Sequence, residues 1–148
     1  MISFFNVSKV YPNGVKALQG VSLQIEKGEF VFIVGPSGAG KSTLIKLIFR
    51  EELPTKGQIY ISGRSILRMK RRDVPFLRRQ IGMVFQDFRL LPDRTVYENV
   101  AFAMQVVGAK RSEIKKRVPE VLKMVGLEKR MDDYPLQLSG GEQQRTAI

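Results

Sequence analysis

Residues 35–42 have the sequence Gly-Pro-Ser-Gly-Ala-Gly-Lys-Ser and follow the sequence Phe-Val-Phe-Ile-Val at residues 30–34. A continuous apolar and β-branched run of this length is typical of a strand that is buried on both faces of a parallel sheet. After the glycines, apolar side chains recur at helical spacing from Ser42 to Arg50. The stretch therefore predicts a strand, a tight glycine-rich loop and a helix, within an α/β fold.

The loop at residues 35–42 fits the pattern Gly-x-x-x-x-Gly-Lys-Ser/Thr, which binds nucleotide phosphates where it joins a buried strand to a helix. Glycine lets the backbone curl so that successive N–H groups point at phosphate oxygens, and the helix N-terminus adds its positive dipole end. We expect Lys41 to reach the β- and γ-phosphates, Ser42 to offer its hydroxyl to Mg²⁺, and Thr43 to bond the α-phosphate. The alternative is a glycine-rich turn that binds no ligand.

Strands are also predicted on either side of this unit. Residues 2–7 and 21–25 alternate apolar and polar side chains with a period of two, and the turn signal Pro-Asn-Gly lies between them at residues 12–14. This pattern predicts two half-buried antiparallel strands. Further strands are predicted at residues 59–61 and 81–85, and the arginine-rich segment between them is interpreted as a loop or a short exposed helix.

The second half of the chain has a helical pattern. Thr95 and Glu98 have the spacing of a capping box, and the apolar face that follows ends at Gly108, which suits a helix C-terminus. A second helix is predicted to begin at Ser112. Pro119 should kink or divide that helix, because proline lacks the N–H that a helix interior requires.

The composition is that of an ordinary globular protein, with 148 residues of which 43% are hydrophobic and 26% charged. The absence of cysteine and histidine excludes thiol nucleophiles, thiolate metal sites and imidazole chemistry. No apolar run approaches the roughly 20 residues that cross a bilayer. The N-terminus does not resemble a secretory signal, so we expect the chain to lie in the cytoplasm.

The chain is strongly basic, with 25 Lys and Arg against 14 Asp and Glu, a net charge of +11. Such an excess favours phosphates, nucleic acid or an anionic membrane surface as partners. Much of it is concentrated at residues 64–79 and 110–117. Because aromatic interleaving and a nucleic-acid motif are both missing, we interpret these clusters as solvated faces and expect no nucleic-acid partner.

A second motif near the end of the chain consists of Leu138, Ser139, Gly140, Gly141, Glu142 and Gln143. On its own, the motif predicts only a capping box between Ser139 and Glu142 at the start of a helix. Together with the phosphate loop, it resembles the signature sequence of the ATP-binding cassette (ABC) ATPases. The resemblance implies a second anion site, which closes on the γ-phosphate of an ATP held by the other subunit of a head-to-tail homodimer.

Two further positions fit the same family. Gln86 resembles the Q-loop glutamine that touches Mg²⁺ and the attacking water, and Tyr11 resembles the A-loop aromatic that stacks on adenine. The resemblance thus implies ATP and Mg²⁺ as cofactors, with Ser42 and Gln86 at the metal. The residues expected to contact the nucleotide are Tyr11, Gly35, Pro36, Ser37, Gly38, Ala39, Gly40, Lys41, Ser42 and Thr43.

The family resemblance also implies a P-loop NTPase fold with an antiparallel β subdomain and a helical insertion. We expect a β subdomain and P-loop core at residues 1–86, a helical subdomain at residues 87–138 and the start of the signature helix at residues 139–148. The Walker B aspartate, the catalytic glutamate and the switch histidine of the family would follow Ile148. We therefore expect a fragment that lacks the C-terminal part of the core, binds ATP weakly and hydrolyses it at the background rate.

The missing part has a structural consequence as well. By the topology of the family, strands from beyond Ile148 lie between the strands at residues 30–34 and 81–85. We expect these two segments to present unpaired edges and apolar surface.

Residues 84–91 and 95–102 most resemble the cell-division branch of the family. This likeness implies an FtsX-like integral membrane protein as partner, a peripheral position on the inner face of the cell membrane, and control of cell-wall hydrolases. ATPases of lipoprotein-releasing and macrolide exporters have similar Q-loop sequences and are one alternative. A nucleotide-binding interaction module without hydrolysis is another, while a P-loop kinase has no use for a second phosphate clamp.

Overall fold

The computed structural model describes all 148 residues and divides the chain into two compact units, Met1–Ile81 and Gly82–Ile148. None of the helices combines the length and the apolar character that crossing a lipid bilayer requires.

The first unit is built on one four-stranded antiparallel sheet of β1 Ile2–Val10, β2 Lys16–Ile25, β3 Lys56–Ile61 and β4 Arg64–Ser65, which lie in the order β2-β1-β3-β4. A turn between the first two strands is closed by the N–H of Tyr11, which donates to the carbonyl of Val15 at 2.9 Å. The predicted antiparallel start of the chain is thereby confirmed.

One face of this sheet belongs to the same hydrophobic core as helix α1, Lys41–Ile48. Phe4 and Val7 of β1 are fully buried, whereas Phe5 is 53% exposed on the opposite face. The helix follows the glycine-rich loop as predicted. The buried hydrophobic residues of this core are Phe4, Val7, Leu18, Leu44, Leu47, Ile48, Ile59, Ile61, Ile66 and Leu77.

The arginine-rich segment forms a 3₁₀ turn at Arg71–Asp73 and the short helix α2 at Val74–Arg78. This confirms the prediction of a loop or short helix, although α2 also buries Val74 and Leu77. Arg78 donates to the carbonyl of Phe49 at 3.1 Å, beyond the end of α1. The segment is therefore tied to the C-terminal end of that helix.

The strands predicted at residues 30–34 and 81–85 are not present, and both segments are irregular. Backbone pairing makes a strand, and no other segment of the chain forms a ladder with either of these. Phe30, Phe32 and Val34 are 83%, 77% and 85% exposed. The strand predictions are therefore wrong, while the expected exposure of apolar surface at residues 30–34 is confirmed.

The second unit contains three α-helices, α3 Val96–Val106, α4 Arg111–Met124 and α5 Gly140–Ala147, and two 3₁₀ turns, Glu128–Arg130 and Pro135–Gln137. Thr95 and Glu98 form the predicted capping box, in which each side chain accepts from the other's backbone N–H. Gly108 follows α3 with φ +89°, the left-handed conformation that suits a helix end. The buried hydrophobic residues in the core of the second unit are Val96, Ala101, Ile114, Val118, Leu122, Leu127 and Leu138.

Helix α4 runs continuously through Pro119, so the proline does not divide the helix, and the kink stays a prediction. The neighbouring residues Ile114, Val118 and Leu122 are all buried on the core face of α4. Burial of such side chains contributes about 1.5–3 kcal/mol each. This free energy of burial offsets the cost of the helix hydrogen bond that Pro119 cannot donate.

Candidate nucleotide-binding site

The glycine-rich loop ends at the N-terminus of α1, where Gly40 is the N-cap residue. Gly40 has φ +91°, and no side chain accepts a hydrogen bond from the first turn of the helix. The first N–H groups of an α-helix have no partner within the helix. In α1 these groups are available to an anion, and the helix dipole favours negative charge at the same place.

Strand β2 packs directly against this end of the loop. A Cβ added at Gly40 would lie 2.3 Å from the carbonyl oxygen of Ala17 and 2.8 Å from Cδ2 of Leu18. Only glycine fits here, so the backbone can follow the close path that a polyphosphate cradle needs. The loop residues therefore fit a nucleotide triphosphate.

Lys41 folds back over its own loop. Its Nζ donates to the carbonyl oxygens of Gly35 at 2.8 Å and Pro36 at 2.7 Å. Both acceptors are neutral, and a phosphate oxygen is a stronger acceptor for an ammonium than a carbonyl oxygen. The lysine is thus held at the loop by contacts that an incoming phosphate can replace.

Tyr11 reaches α1 from the end of the first strand. Its hydroxyl lies 3.2 Å from Oγ1 of Thr43, which is 8% exposed in the first turn of the helix. Ser42, the residue between Lys41 and Thr43, is exposed. The structure therefore brings together Tyr11 and the loop, although they are far apart in the sequence.

Gln86 belongs to the second unit, where it lies exposed in a turn. The turn is closed by the N–H of Phe88, which donates to the carbonyl of Phe85 at 3.2 Å. The guanidinium of Arg89 lies 3.9 Å from the centroid of the Phe85 ring and also pairs with Asp87 at 3.4 Å. These contacts order the residues around Gln86 and leave its amide exposed.

The signature motif forms the N-terminus of α5 as a capping box, as predicted. Oε2 of Glu142 accepts from the backbone N–H of Ser139 at 2.8 Å and from its hydroxyl at 2.7 Å. These hydrogen bonds lower the pKa of Glu142 below its ordinary value, and the positive charges of Arg130 and Arg145 act in the same direction. Glu142 is therefore held as a carboxylate that orients the serine.

Two arginines around Glu142 were not singled out by the sequence analysis. Nε of Arg130 lies 3.5 Å from Oε1 of Glu142, and Arg145 donates to the carbonyl of Val125 at 3.1 Å. Helical spacing could have found Arg145, since it follows Glu142 by three positions on α5. Nothing local points to Arg130, which lies in a different part of the chain.

The chain is similar in sequence to known proteins. The model of the family described as ABC transporter matches residues 18–148. The cell division ATP-binding protein FtsE of Bacillus subtilis is 60% identical over 148 residues, which cover all of this chain and 65% of that protein. FtsE of Escherichia coli K12 is 55% identical, with 67% of its length covered. The chain thus spans about two thirds of the length of these relatives.

Solved structures agree with these sequence matches. The dimeric structure of MJ0796, described as a bacterial ABC transporter cassette, superimposes with a TM-score of 0.90 at 42% identity, covering 100% of this chain and 67% of that one. A dimeric post-hydrolysis state of the same cassette, bound to ADP and phosphate, gives a TM-score of 0.89 at 41% identity, with 99% and 67% covered.

Proposed function

Because this chain belongs to the ABC transporter family, we propose that it is the ATP-binding part of a cell-division ATPase of the FtsE type. Residues 35–43 hold the triphosphate of ATP, and Tyr11 stacks on the adenine. The single observation that carries the proposal is the N-terminus of α1, which no side chain caps, with Lys41 bonded only to neutral carbonyls beside it.

Each residue of the loop has a part in binding. The N–H groups of residues 37–43 surround the phosphate oxygens, and the Lys41 ammonium leaves its two carbonyl acceptors for the β- and γ-phosphates. The Ser42 hydroxyl holds Mg²⁺, which neutralises charge on those phosphates when it is bound. The role of Gln86 toward Mg²⁺ and the attacking water stays a prediction from its motif.

The signature helix acts on a second copy of the protein. Ser139 and the N–H groups of Gly140 and Gly141 contact the γ-phosphate of an ATP bound to the partner subunit, in a head-to-tail homodimer. Two observations support this. Similar cassettes are described as dimeric, and the capping box of α5 uses the N–H groups of Ser139 and Glu142 but not those of Gly140 and Gly141. Glu142 retains Ser139 in position until the phosphate arrives.

The wider role is proposed from the resemblance to the cell-division branch of the family, and the names of the relatives support its link to cell division. The proposed partner is an FtsX-like integral membrane protein, which keeps the ATPase at the inner face of the cell membrane. Binding and hydrolysis of ATP by the whole protein then drive cell division through control of cell-wall hydrolases. Residues 87–138 form the helical subdomain of this ATPase, and residues 139–148 begin its signature helix.

The binding step is tested by calorimetry with Mg-ATP on the wild-type chain and on two lysine variants of α1. Lys41→Ala removes the ammonium at the loop, and we expect an affinity loss of about tenfold to a hundredfold, as for other hydrogen bonds to charged groups. Lys46→Ala is the matched control, because Lys46 lies on the same helix with its Nζ 4.0 Å from Glu51. We expect its affinity to stay within about twofold of wild type, because loss of an exposed ion pair costs at most about 1 kcal/mol and that cost falls on folding rather than on binding.

A folded wild-type chain that does not bind Mg-ATP would contradict the proposal, and so would equal losses in the two variants. The expected background rate of hydrolysis by residues 1–148 is measured in the same samples by phosphate release.

A further inference from the structure

Lys9 is a buried charge at the end of β1 that the proposed function does not use. The residue is 8% exposed and takes one of the inward positions of the strand. Its Nζ donates to Oε2 of Glu52 at 2.6 Å and to the carbonyl oxygen of Leu53 at 2.9 Å. A buried ammonium is costly unless it is paired and hydrogen-bonded, and here it is both.

The same ammonium lies over the ring of Tyr11, 5.0 Å from the ring centroid. At this distance a cation is attracted by the electron-rich face of an aromatic ring. The Tyr11 hydroxyl is held separately, 3.2 Å from Oγ1 of Thr43. The tyrosine is therefore fixed at two points, its ring by Lys9 and its hydroxyl by the first turn of α1.

Glu52 connects this arrangement to the other end of the same helix. The backbone N–H of Glu52 donates to the carbonyl of Lys46 at 3.2 Å, in the turn that closes α1. The Glu52 side chain is 32% exposed and is the only carboxylate bonded to Lys9. The position of the tyrosine ring thus depends on both ends of the helix that begins at the phosphate loop.

We propose that Lys9 and Glu52 are positioning residues that hold the Tyr11 ring for the adenine base and thereby set the preference for ATP over a bare polyphosphate. The inference rests on the proposed function, which assigns Tyr11 to adenine. Lys9 occupies one face of the ring, so a base can stack only on the opposite face. Glu52 keeps the ammonium on its face by fixing the far side of the lysine.

The test compares two ligands by calorimetry, Mg-ATP and inorganic tripolyphosphate, because the second contacts the loop and has no base. Lys9→Met retains most of the side-chain volume and removes the charge. We expect its ATP affinity to fall by about three- to tenfold, the range of a cation–π contact, while its tripolyphosphate affinity stays unchanged. Lys9→Arg should recover the ATP preference, because a guanidinium can occupy the same face of the ring.

Two further variants separate positioning from a general loss of structure. Glu52→Gln leaves the lysine and its packing in place, and we expect a smaller fall of ATP affinity in the same direction. In a Tyr11→Leu background, the additional Lys9→Met change should not alter the ratio of the two affinities, since there is no ring left to position. If Lys9→Met melts, the Glu52→Gln ratio alone decides the question.

The outcomes distinguish this inference from the function on which it rests. A folded wild-type chain that binds neither ligand overturns the proposed function and the inference together. A wild-type chain that binds both ligands equally overturns the inference and the assignment of Tyr11 to adenine, but not the binding of the triphosphate by the loop. A Lys9→Met variant that retains the full preference for ATP overturns only the inference. Equal losses for ATP and tripolyphosphate would also overturn it, because they would assign Lys9 to the fold as a whole.

Discussion

The carbonyl oxygen of Ala17 lies only 2.3 Å from the position that a Cβ atom would take at residue 40. This distance is too short for any residue other than Gly40. Gly40→Ala must therefore displace either β2 or the loop, in addition to straining a backbone at φ +91°. We expect a loss of at least about 3 kcal/mol in the free energy of unfolding, the upper end of the range for strained sites. Urea denaturation followed by circular dichroism measures it.

Gly38→Ala is the matched control in the same loop. Gly38 also has a left-handed backbone, with φ +81°, but nothing lies within 4 Å of an added Cβ. Only the backbone cost of about 1–2 kcal/mol should appear. Equal destabilisation by the two substitutions would show that the contact with Ala17 is not what demands glycine at position 40.

The turn before α3 depends on the side-chain amide of Asn99, which forms hydrogen bonds to backbone atoms at the beginning and at the end of that turn. Nδ2 donates to the carbonyls of Leu91, Arg94 and Thr95 at 3.1, 3.1 and 2.9 Å, and Oδ1 accepts from the N–H of Leu91 at 2.7 Å. Asn99→Asp turns the donor into an anion that faces three carbonyl oxygens. We expect a loss of about 2–3 kcal/mol in unfolding free energy.

The control for this substitution is Asn13→Asp. The Asn13 side chain only accepts, from the N–H of Val15 at 3.2 Å, and a carboxylate accepts equally well. Its unfolding free energy should stay within about 0.5 kcal/mol of wild type. An Asn99→Asp variant as stable as Asn13→Asp would disprove the importance of the donated bonds.

The capping of α5 should depend on pH. Because the pKa of Glu142 is lowered by the hydrogen bonds from Ser139, the folded state gains stability while the group is ionised. That gain is fully present above the ordinary pKa of 4.5 and is lost as the pH falls through the folded value. We expect Ser139→Ala to move the pKa back up, as measured by a carbon-detected NMR titration of the carboxyl group.

Ser112→Ala serves as the comparison for that titration, because Ser112 is an exposed serine in the first turn of α4. It should leave the Glu142 titration unchanged. A Ser139→Ala spectrum that titrates at the wild-type midpoint would assign the lowered pKa to the arginines instead.

Pro119 should cost the second unit stability that an ordinary helix former would restore. In Pro119→Ala the helix regains an N–H at this position, and we expect the free energy of unfolding to rise by about 1–3 kcal/mol. Thermal denaturation measures the change. Glu120→Ala, which removes the exposed pair with Arg117, should lower stability by less than about 1 kcal/mol. A destabilised Pro119→Ala variant would mean that the proline ring itself is needed in the packing.

Structure that depends on neighbours in the sequence was predictable. The first hairpin follows from alternation and a turn signal, and both capping boxes follow from a serine or threonine three residues before a glutamate. In each case the stabilising hydrogen bonds join residues within a few positions of one another. The order of loop and helix around Lys41 was predictable for the same reason.

Segments whose conformation depends on a distant partner were not predictable. Residues 30–34 have the composition of a buried strand, yet Phe30 is 83% exposed, because composition cannot supply the neighbouring strand that completes the ladder. The approach of Ala17 to Gly40 and the ion pair between Lys9 and Glu52 also have no local signal. Local hydrogen bonds can be predicted from the spacing of residues in the sequence, because both partners lie within a few positions of each other. Close packing and the pairing of a buried charge arise only when the folded chain brings remote atoms to within a few ångströms.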